Sequence, residues 1–271
     1  MNKMLTFFTA PVTAFFYPPV YRDAVKSSVG RGILYSLYLA GLSVALVMVV
    51  ISARFMPHAD AFVNWVKTDM PTLIWTPSGV SLENGQTTAT MAHPQYGAIA
   101  IFDMTKTSAT EADMGKAYVL VTSQKVFLKR APGQIEARDI TGAGMRSGQQ
   151  LPARVRINGD IAAKVYQNIK GAMAFVVPFL ILVFCFMFFV VTNLFYSVAG
   201  LLFNLLRSEK LRYGAIFNLT CFATTASFTL TGLGILIPIK VLALPFFLHI
   251  LINLGFMFFA IKVTDAKKVT A

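Results

Sequence analysis

Long apolar runs divided by polar or basic stretches set the outline of this chain. Residues 33–53 (ILYSLYLAGLSVALVMVVISA) hold no charge over 21 positions, the length at which one helix crosses a bilayer. Residues 171–206 (GAMAFVVPFLILVFCFMFFVVTNLFYSVAGLLFNLL) hold none over 36. At ~1.5 Å per residue that second run spans ~54 Å as a helix, against ~30 Å of hydrocarbon. It is therefore two crossings joined by a tight turn, or one crossing that continues past the membrane. Residues 214–237 are apolar but rich in hydroxyls, Pro238 and Lys240 read as a tight turn, and 241–261 form the last run. A shorter run, 4–17, ends at Pro18-Pro19 with no small-residue cleavage site after it. It reads as an interfacial segment with Phe7, Phe8, Phe15 and Phe16 at the acyl boundary.

Between 54 and 170 the pattern changes. These 117 residues carry 13 of the 24 Lys and Arg and 9 of the 12 Asp and Glu, enough polar chain for one small domain with its own core. PHADAFVNWVK (57–67) opens with proline at a first helical position and sets Phe62, Trp65 and Val66 on one side, as a short stalk helix would. Turn signals then alternate with β-prone runs: TLIWT before P-S-G, VSL before E-N-G, GAIAIF, AYVLVT before S-Q-K, VFLK and IEARDI. Residues 117–122 and 125–129 predict a hairpin. Apart from IEARDI, residues 131–152 are rich in Gly, Pro, Gln and Ser and read as a loop. N-G-D at 158–160 restarts a helix, with Asp160 as its cap and Ile161, Val165 and Ile169 along one face.

Composition turns this outline into a membrane protein. The chain is 56% hydrophobic with 24 phenylalanines and a mean hydropathy of +0.63, and only 13% of it is charged, against ~25% in a soluble domain. A net charge of +12 would suggest nucleic acid in a soluble protein; here it suits the excess of Lys and Arg on the cytoplasmic side of membrane proteins, and no nucleic-acid partner is expected. Charge also resolves the 36-residue run. A single crossing places the amino-terminal segment, the loop 207–213 and the tail 262–271 on one side, with ten Lys and Arg and three acids among them. A double crossing would put the last two outside. The expected fold class is thus integral membrane α-helical, with four transmembrane helices (33–53, 171–206 with a cytoplasmic extension, 214–237, 241–261). A small extracytoplasmic β-rich α+β domain, 54–170, is inserted between helices 1 and 2, and both termini are cytoplasmic.

Several stretches together resemble a known family. FFYPPVY (15–21), MPTLIWTPSGVSLENGQ (70–86), AIAIFD (98–103), AYVLVTSQKVFLK (117–129) and LRYGAIFNLTCFATTAS (211–227) follow, in order, the pattern of the bacterial membrane-protein family called domain of unknown function 1189. The resemblance implies four spans and an extracytoplasmic insertion in the bacterial inner membrane. It implies no activity and no catalytic residues.

Two constellations are candidates for chemistry. A polar seam runs through the later spans: Asn193, Ser197, Gly200 and Asn204 at i, i+4, i+7 and i+11, then Asn218, Cys221, Thr225, Thr229 and Gly232, then His249 and Asn253. It reads first as helix packing through small residues and hydrogen bonds, and second as a substrate path. No Asp, Glu, Lys or Arg lies mid-span, which argues against ion-coupled transport. The second candidate is a basic, anion-facing patch of Lys125, Lys129, Arg130, Arg138, Arg146, Arg154 and Arg156, weighed against an ordinary solvated face. Cys185 and Cys221 both lie in apolar runs, so the polar part has neither disulfide nor thiolate metal site. His58, Asp60 and His93 have no metal-ligand spacing, and no P-loop, G-x-S-x-G or H-E-x-x-H occurs. Asp103, ending AIAIFD, reads as a turn residue rather than a catalytic carboxylate. No enzyme activity, metal or cofactor is expected. The expected partners are the lipid bilayer and either another membrane protein or a second copy of the chain.

Overall fold

Residues 159–204 form one helix, and this settles how the long charge-free run is used. The computed structural model describes residues 3–131, 133–141, 154–236 and 245–265. Its helices are α1 (Lys3–Thr13), α2 (Pro19–Val25), α3 (Val29–Val50), α4 (Met56–Asp69), α5 (Glu111–Met114), α6 (Gly159–Asn204), α7 (Tyr213–Ala223), α8 (Thr225–Leu236) and α9 (Phe246–Asp265). Helix α6 is 46 residues long and keeps going through Pro178, so no hairpin lies within it. Among the described residues four helical stretches are long and apolar enough to cross a membrane: Val29–Asp69, Gly159–Asn204, Tyr213–Leu236 and Phe247–Asp265.

The first of these departs from its expected bounds. It starts four residues before Ile33 and joins the stalk helix without a gap, through a π turn at Ile51–Phe55. Inserting that wider turn shifts the facing of every later residue, and π turns concentrate at functional positions. The third is interrupted at Thr224, between α7 and α8. The Thr224 and Thr225 hydroxyls there bond back to the carbonyls of Thr220 and Cys221, competing with the backbone ladder.

The chain divides into two units, Met1–Phe55 with Met173–Ala271, and Met56–Ala172. In the first, α3 and α7 pack with Gly32 facing Asn218 and Tyr35 facing Phe222 and Thr225, so both helices run in the same direction. The Tyr35 and Phe222 rings stack at 4.1 Å between centroids, and Leu39, Ile216, Leu219, Met257 and Ala260 complete the core. The amino-terminal segment is drawn into this core rather than left at its edge. Phe7 is buried against Tyr35 and Tyr38, Phe15 stacks edge-on to Phe256, and only Phe8 and Phe16 of the four phenylalanines stay largely exposed. The reason is local: the two-proline break lets α2 turn back, and the buried Tyr21 hydroxyl donates to the Ala14 carbonyl at 2.7 Å.

The second unit holds two sheets. A three-stranded sheet has the order β2 (Gly79–Leu82), β1 (Leu73–Thr76), β8 (Val155–Ile157), antiparallel throughout. A five-stranded sheet runs β3 (Thr88–His93), β4 (Gly97–Asp103), β5 (Val119–Val121), β6 (Lys125–Ala131), β7 (Gln134–Asp139). Its one parallel pair, β4 with β5, needs a crossover, and α5 lies in it behind a capping box of Thr110 and Asp113. One cluster joins both sheets through Leu73, Val80, Leu82, Met91, Phe102 and Val121, with Trp65, Val66 and Met70 packed against it. A second, Met114, Leu120 and Phe127, lies under α5. The hairpin of 117–122 with 125–129 is present, with Val119 opposite Leu128. Two strands carry no clear pattern: β3 (TATMAH) alternates weakly, and β8 is three residues long. Asn158, not Asp160, caps α6; its side-chain oxygen accepts the Ile161 N–H at 3.1 Å, because the helix begins two residues earlier than expected. Residues 142–153 of the expected loop, the Pro238–Lys240 turn and the start of the last run lie outside the described residues.

Gly200 on α6 is a close-approach point, since a Cβ there would collide with Met257 and Ile216. Gly200→Val should therefore destabilise the helical unit by ~1–3 kcal/mol through overpacking. Thermal unfolding in detergent, followed by circular dichroism, checks this; an unchanged midpoint would show that α6 does not pack there.

Candidate functional site

The seam residues are brought into four separate stations rather than one continuous line. Asn193, Ser197, Gly200 and Asn204 do share one face of α6, and all four are buried. At the first station Asn193 joins three helices. Its amide donates to Ser36 Oγ of α3 at 3.2 Å, and its Oδ1 accepts from the Thr224 hydroxyl at 2.9 Å. Ser197 donates to the Asn193 carbonyl at 2.6 Å and lies 3.3 Å from Thr220 Oγ1. The second station is Thr225, 3.0 Å from the Tyr35 hydroxyl. The third is Asn218, whose amide donates to the carbonyls of Ala24, Ser27 and Ser28 at 3.2, 2.9 and 3.0 Å. These carbonyls lie at the link between α2 and α3; those of Ala24 and Ser28 also accept the Ser27 and Arg31 N–H groups, and Asn218 ties the link to α7. The fourth is Asn204, which both donates to the Leu211 carbonyl and accepts the Leu211 N–H, closing the loop to α7. Thr229 reaches the Pro11 carbonyl at 3.0 Å. His249 is half-buried on α9 and hydrogen-bonds to none of these; Asn253 is buried, and its Oδ1, like that of Asn218, has no partner among the described residues.

Tyr35, Ser36, Thr220 and Thr224 belong to this network but were not among the candidates. Ser36 and Ser43 sit at i and i+7 in the first span, and that spacing was the available signal. Arg207 was another omission. It is buried, and its guanidinium donates to the carbonyl of Ile261 at 2.6 Å and to the Thr264 hydroxyl at 2.7 Å, with Asp265 at 3.5 Å, capping the end of α9. Lys210 likewise donates to the Leu205 and Arg207 carbonyls at the end of α6.

Most of the described basic patch is already paired. Lys125 lies 3.7 Å from Asp139, Lys129 2.8 Å from Glu111, Arg130 and Arg138 each 2.7 Å from Glu136, and Arg156 2.7 Å from Glu83. Two of those acids, Glu111 and Glu83, come from outside the 125–156 segment, which is why its own charge count overstates its field. Arg154 is exposed, and Arg146 lies outside the described residues. The Glu136 carboxyl is held below its ordinary value by Arg138 and then Arg130. Asp103 accepts from the N–H and hydroxyl of Thr105, a turn arrangement.

The stalk helices carry the most specific geometry of the second unit. Gly159 lies flush against the Lys67 backbone, where a Cβ would clash, and Lys67 pairs with Asp160 at 3.4 Å. At the other end of α4, Asp60 accepts from Lys170 Nζ at 2.7 and 2.8 Å and from the Tyr166 hydroxyl at 2.7 Å. Lys170 first, and then Tyr166, lower the Asp60 carboxyl from its ordinary value; Asp60 in turn raises the Lys170 ammonium. Beside this clamp, His93 lies among Trp65, Tyr96 and Phe62 at 4.8, 4.7 and 6.2 Å between ring centroids, and its Nδ1 accepts the Gln95 N–H. Tyr96 is two-thirds exposed, leaving a ring face open to a partner. Among the described residues no group of three His, Cys, Asp or Glu is placed to hold a metal ion.

The family model described as "Protein of unknown function (DUF1189)" matches residues 8–261. No curated protein and no solved structure matches the chain.

Two outcomes follow from this geometry. Asn193→Leu removes two interhelical side-chain bonds, each worth ~0.6 kcal/mol on average and up to ~1.7 in a membrane protein. A loss of about 1–2 kcal/mol in detergent unfolding is expected, modest because Thr224 keeps its bond to the Thr220 carbonyl. Asp60→Asn tests the stalk clamp. With the Asp60 carboxyl lowered, its contribution is complete above the unfolded value and disappears as pH falls through the folded one. With the Lys170 ammonium raised, its contribution is lost only in strong alkali. The variant should therefore melt below the wild type at neutral pH and converge with it in acid well below the usual carboxylate range; a constant gap across pH would contradict the clamp.

Proposed function

The chain belongs to the DUF1189 family of proteins of unknown function, and on that footing we propose a non-enzymatic accessory or sensor protein of the bacterial inner membrane. It crosses the membrane four times with both termini in the cytoplasm, and its α/β unit faces outward to bind a protein partner or an envelope ligand. One observation carries this reading. Residues 56–172 build two hydrophobic clusters of their own, and they are entered and left through helices that belong to stretches apolar and long enough to span. The two helices that lead into this domain are clamped to each other by Asp60, Tyr166 and Lys170. An event at the domain that favours one arrangement of the pair shifts the population of the spans attached to it. The orientation rests on the ten Lys and Arg in the segments assigned to the cytoplasm. The transport alternative is less well supported, because Asn193, Ser197, Asn204, Thr225 and Thr229 spend their hydrogen bonds on other side chains and on the backbone.

Topology is tested by thiol labelling of single cysteines in a variant lacking Cys185 and Cys221. Ser108→Cys should label from outside in intact cells and Ser208→Cys only after permeabilisation; labelling of position 208 from outside would reverse the reading. Function is tested by cross-linking in cells, mild-detergent purification and mass spectrometry. A partner captured by the full chain and lost on deletion of 71–157 supports the accessory role. No partner, combined with a transport defect in folded Asn218→Leu or Asn253→Leu proteins, overturns it in favour of transport.

A further inference from the structure

A groove of about 340 Å³ opens along α9, lined by Ile252, Gly255, Phe256 and Phe259 with Phe15 across from them. Four of these five fall at i, i+3, i+4 and i+7, a single stripe ~10 Å long on the helix. The lining is apolar, and Gly255 is what leaves the floor open, since a Cβ there would meet nothing within 4 Å. At the carboxyl-terminal end of the stripe the chemistry changes. Lys262, three residues beyond Phe259, is exposed and reaches over the Phe258 ring. Tyr21 of α2 packs edge-on to Phe259, and on the same helix Arg22 and, one turn later, Lys26 are exposed. None of these three cations has a carboxylate partner among the described residues. The nearby Asp265 is engaged by Arg207 and Ser208.

We propose that this groove is a binding site for one anionic phospholipid of the cytoplasmic leaflet. One acyl chain lies along Phe259, Phe256 and Ile252, and the phosphate is held by Lys262 and Arg22. The volume is at the lower end of the ~300–1,000 Å³ typical of small-molecule sites, which suits one chain rather than a whole lipid. An open apolar groove followed by exposed cations matches the polarity of a phospholipid. Each Lys or Arg near the surface favours an anionic head group by ~1 kcal/mol, so two of them give a preference of tenfold or more over a zwitterionic lipid. The proposal rests on membrane insertion of the four apolar helices and is independent of any role for the outer domain.

Native mass spectrometry of the full chain, purified in detergent and titrated with dioleoylphosphatidylglycerol or dioleoylphosphatidylcholine, tests it. The wild type should hold one phosphatidylglycerol at least tenfold more tightly than phosphatidylcholine. Gly255→Leu fills the groove without a clash and should abolish that binding while leaving the lipid-free unfolding midpoint unchanged. Arg22→Gln with Lys262→Gln should equalise the two lipids. A phosphatidylglycerol carrying a diazirine on its acyl chain should cross-link the wild type within residues 252–259, a readout that needs no variant. Equal retention of both lipids by the wild type, unchanged binding by Gly255→Leu, or cross-links confined to other helices would each overturn the site. Extraction of the chain from membranes by alkaline carbonate would instead show that membrane insertion itself is wrong.

Discussion

In a helical unit this apolar, the controlling constraint is that every polar group must find its partner inside the protein. Asn218 shows what that constraint builds. One side-chain NH2 group reaches three carbonyls at the α2–α3 link, so that link is tied to α7 by hydrogen bonds as well as by apolar contact, while the Asn218 Oδ1 has no partner among the described residues. Tyr35 does the same on the next turn of α3, its ring on Phe222 and its hydroxyl on Thr225. The neighbouring hydroxyls of Tyr38 and Thr229 take the Phe8 and Pro11 carbonyls of α1. Pro11 has no N–H to give its helix, and it is around this position that α1 draws on bonds from outside. A short amino-terminal helix that would be marginal alone is thereby secured among the longer ones.

Helix α6 obeys the same constraint differently. Its most apolar window buries nothing, and within Met173–Asn204 the buried positions are Asn193, Ser197, Gly200 and Asn204. The polar and small residues face protein and most of the phenylalanines face outward, Phe189 and Phe203 being the two that pack on the core, the reverse of a soluble helix. Without a hydrophobic driving force between helices in lipid, close approach at Gly200 and hydrogen bonds at Asn193 are what remain to hold α6 to its neighbours. This is also why the seam appears functional when read along the sequence: packing in a bilayer and a solvated path select the same residue types.

The parts of this fold legible in the sequence are those governed by long periodic signals. Uncharged runs mark the apolar helices, and alternation marks β4, β5 and β6. What escaped depended on neighbours distant in the chain. Strand β8 is three residues long and exists because β1 pairs with it. The burial of Phe7 depends on Tyr35 and Tyr38, and the π turn at 51–55 has no local sign at all. Of the candidate residues, the α6 set was found by its helical spacing. The pairing of Lys129 with Glu111 and Arg156 with Glu83 could not be, since those acids are 18 and 73 residues away in sequence.

Charge has a second structural use here that a count of Lys and Arg conceals. The segment 207–213 looks like an ordinary basic loop of the kind that orients membrane proteins, yet two of its three cations are committed to helix ends. Arg207 collects carbonyls of the last turns of α9, where the helix dipole places partial negative charge, and Lys210 takes the Leu205 and Arg207 carbonyls of the turn that follows α6. A cation at the carboxyl terminus of a helix is favoured by the dipole. By contrast, Arg22, Lys26 and Lys262 are exposed and have no carboxylate partner among the described residues, and Lys262 follows the apolar groove along α9. It is this division between committed and uncommitted cations that separates structural charge from charge able to meet a ligand.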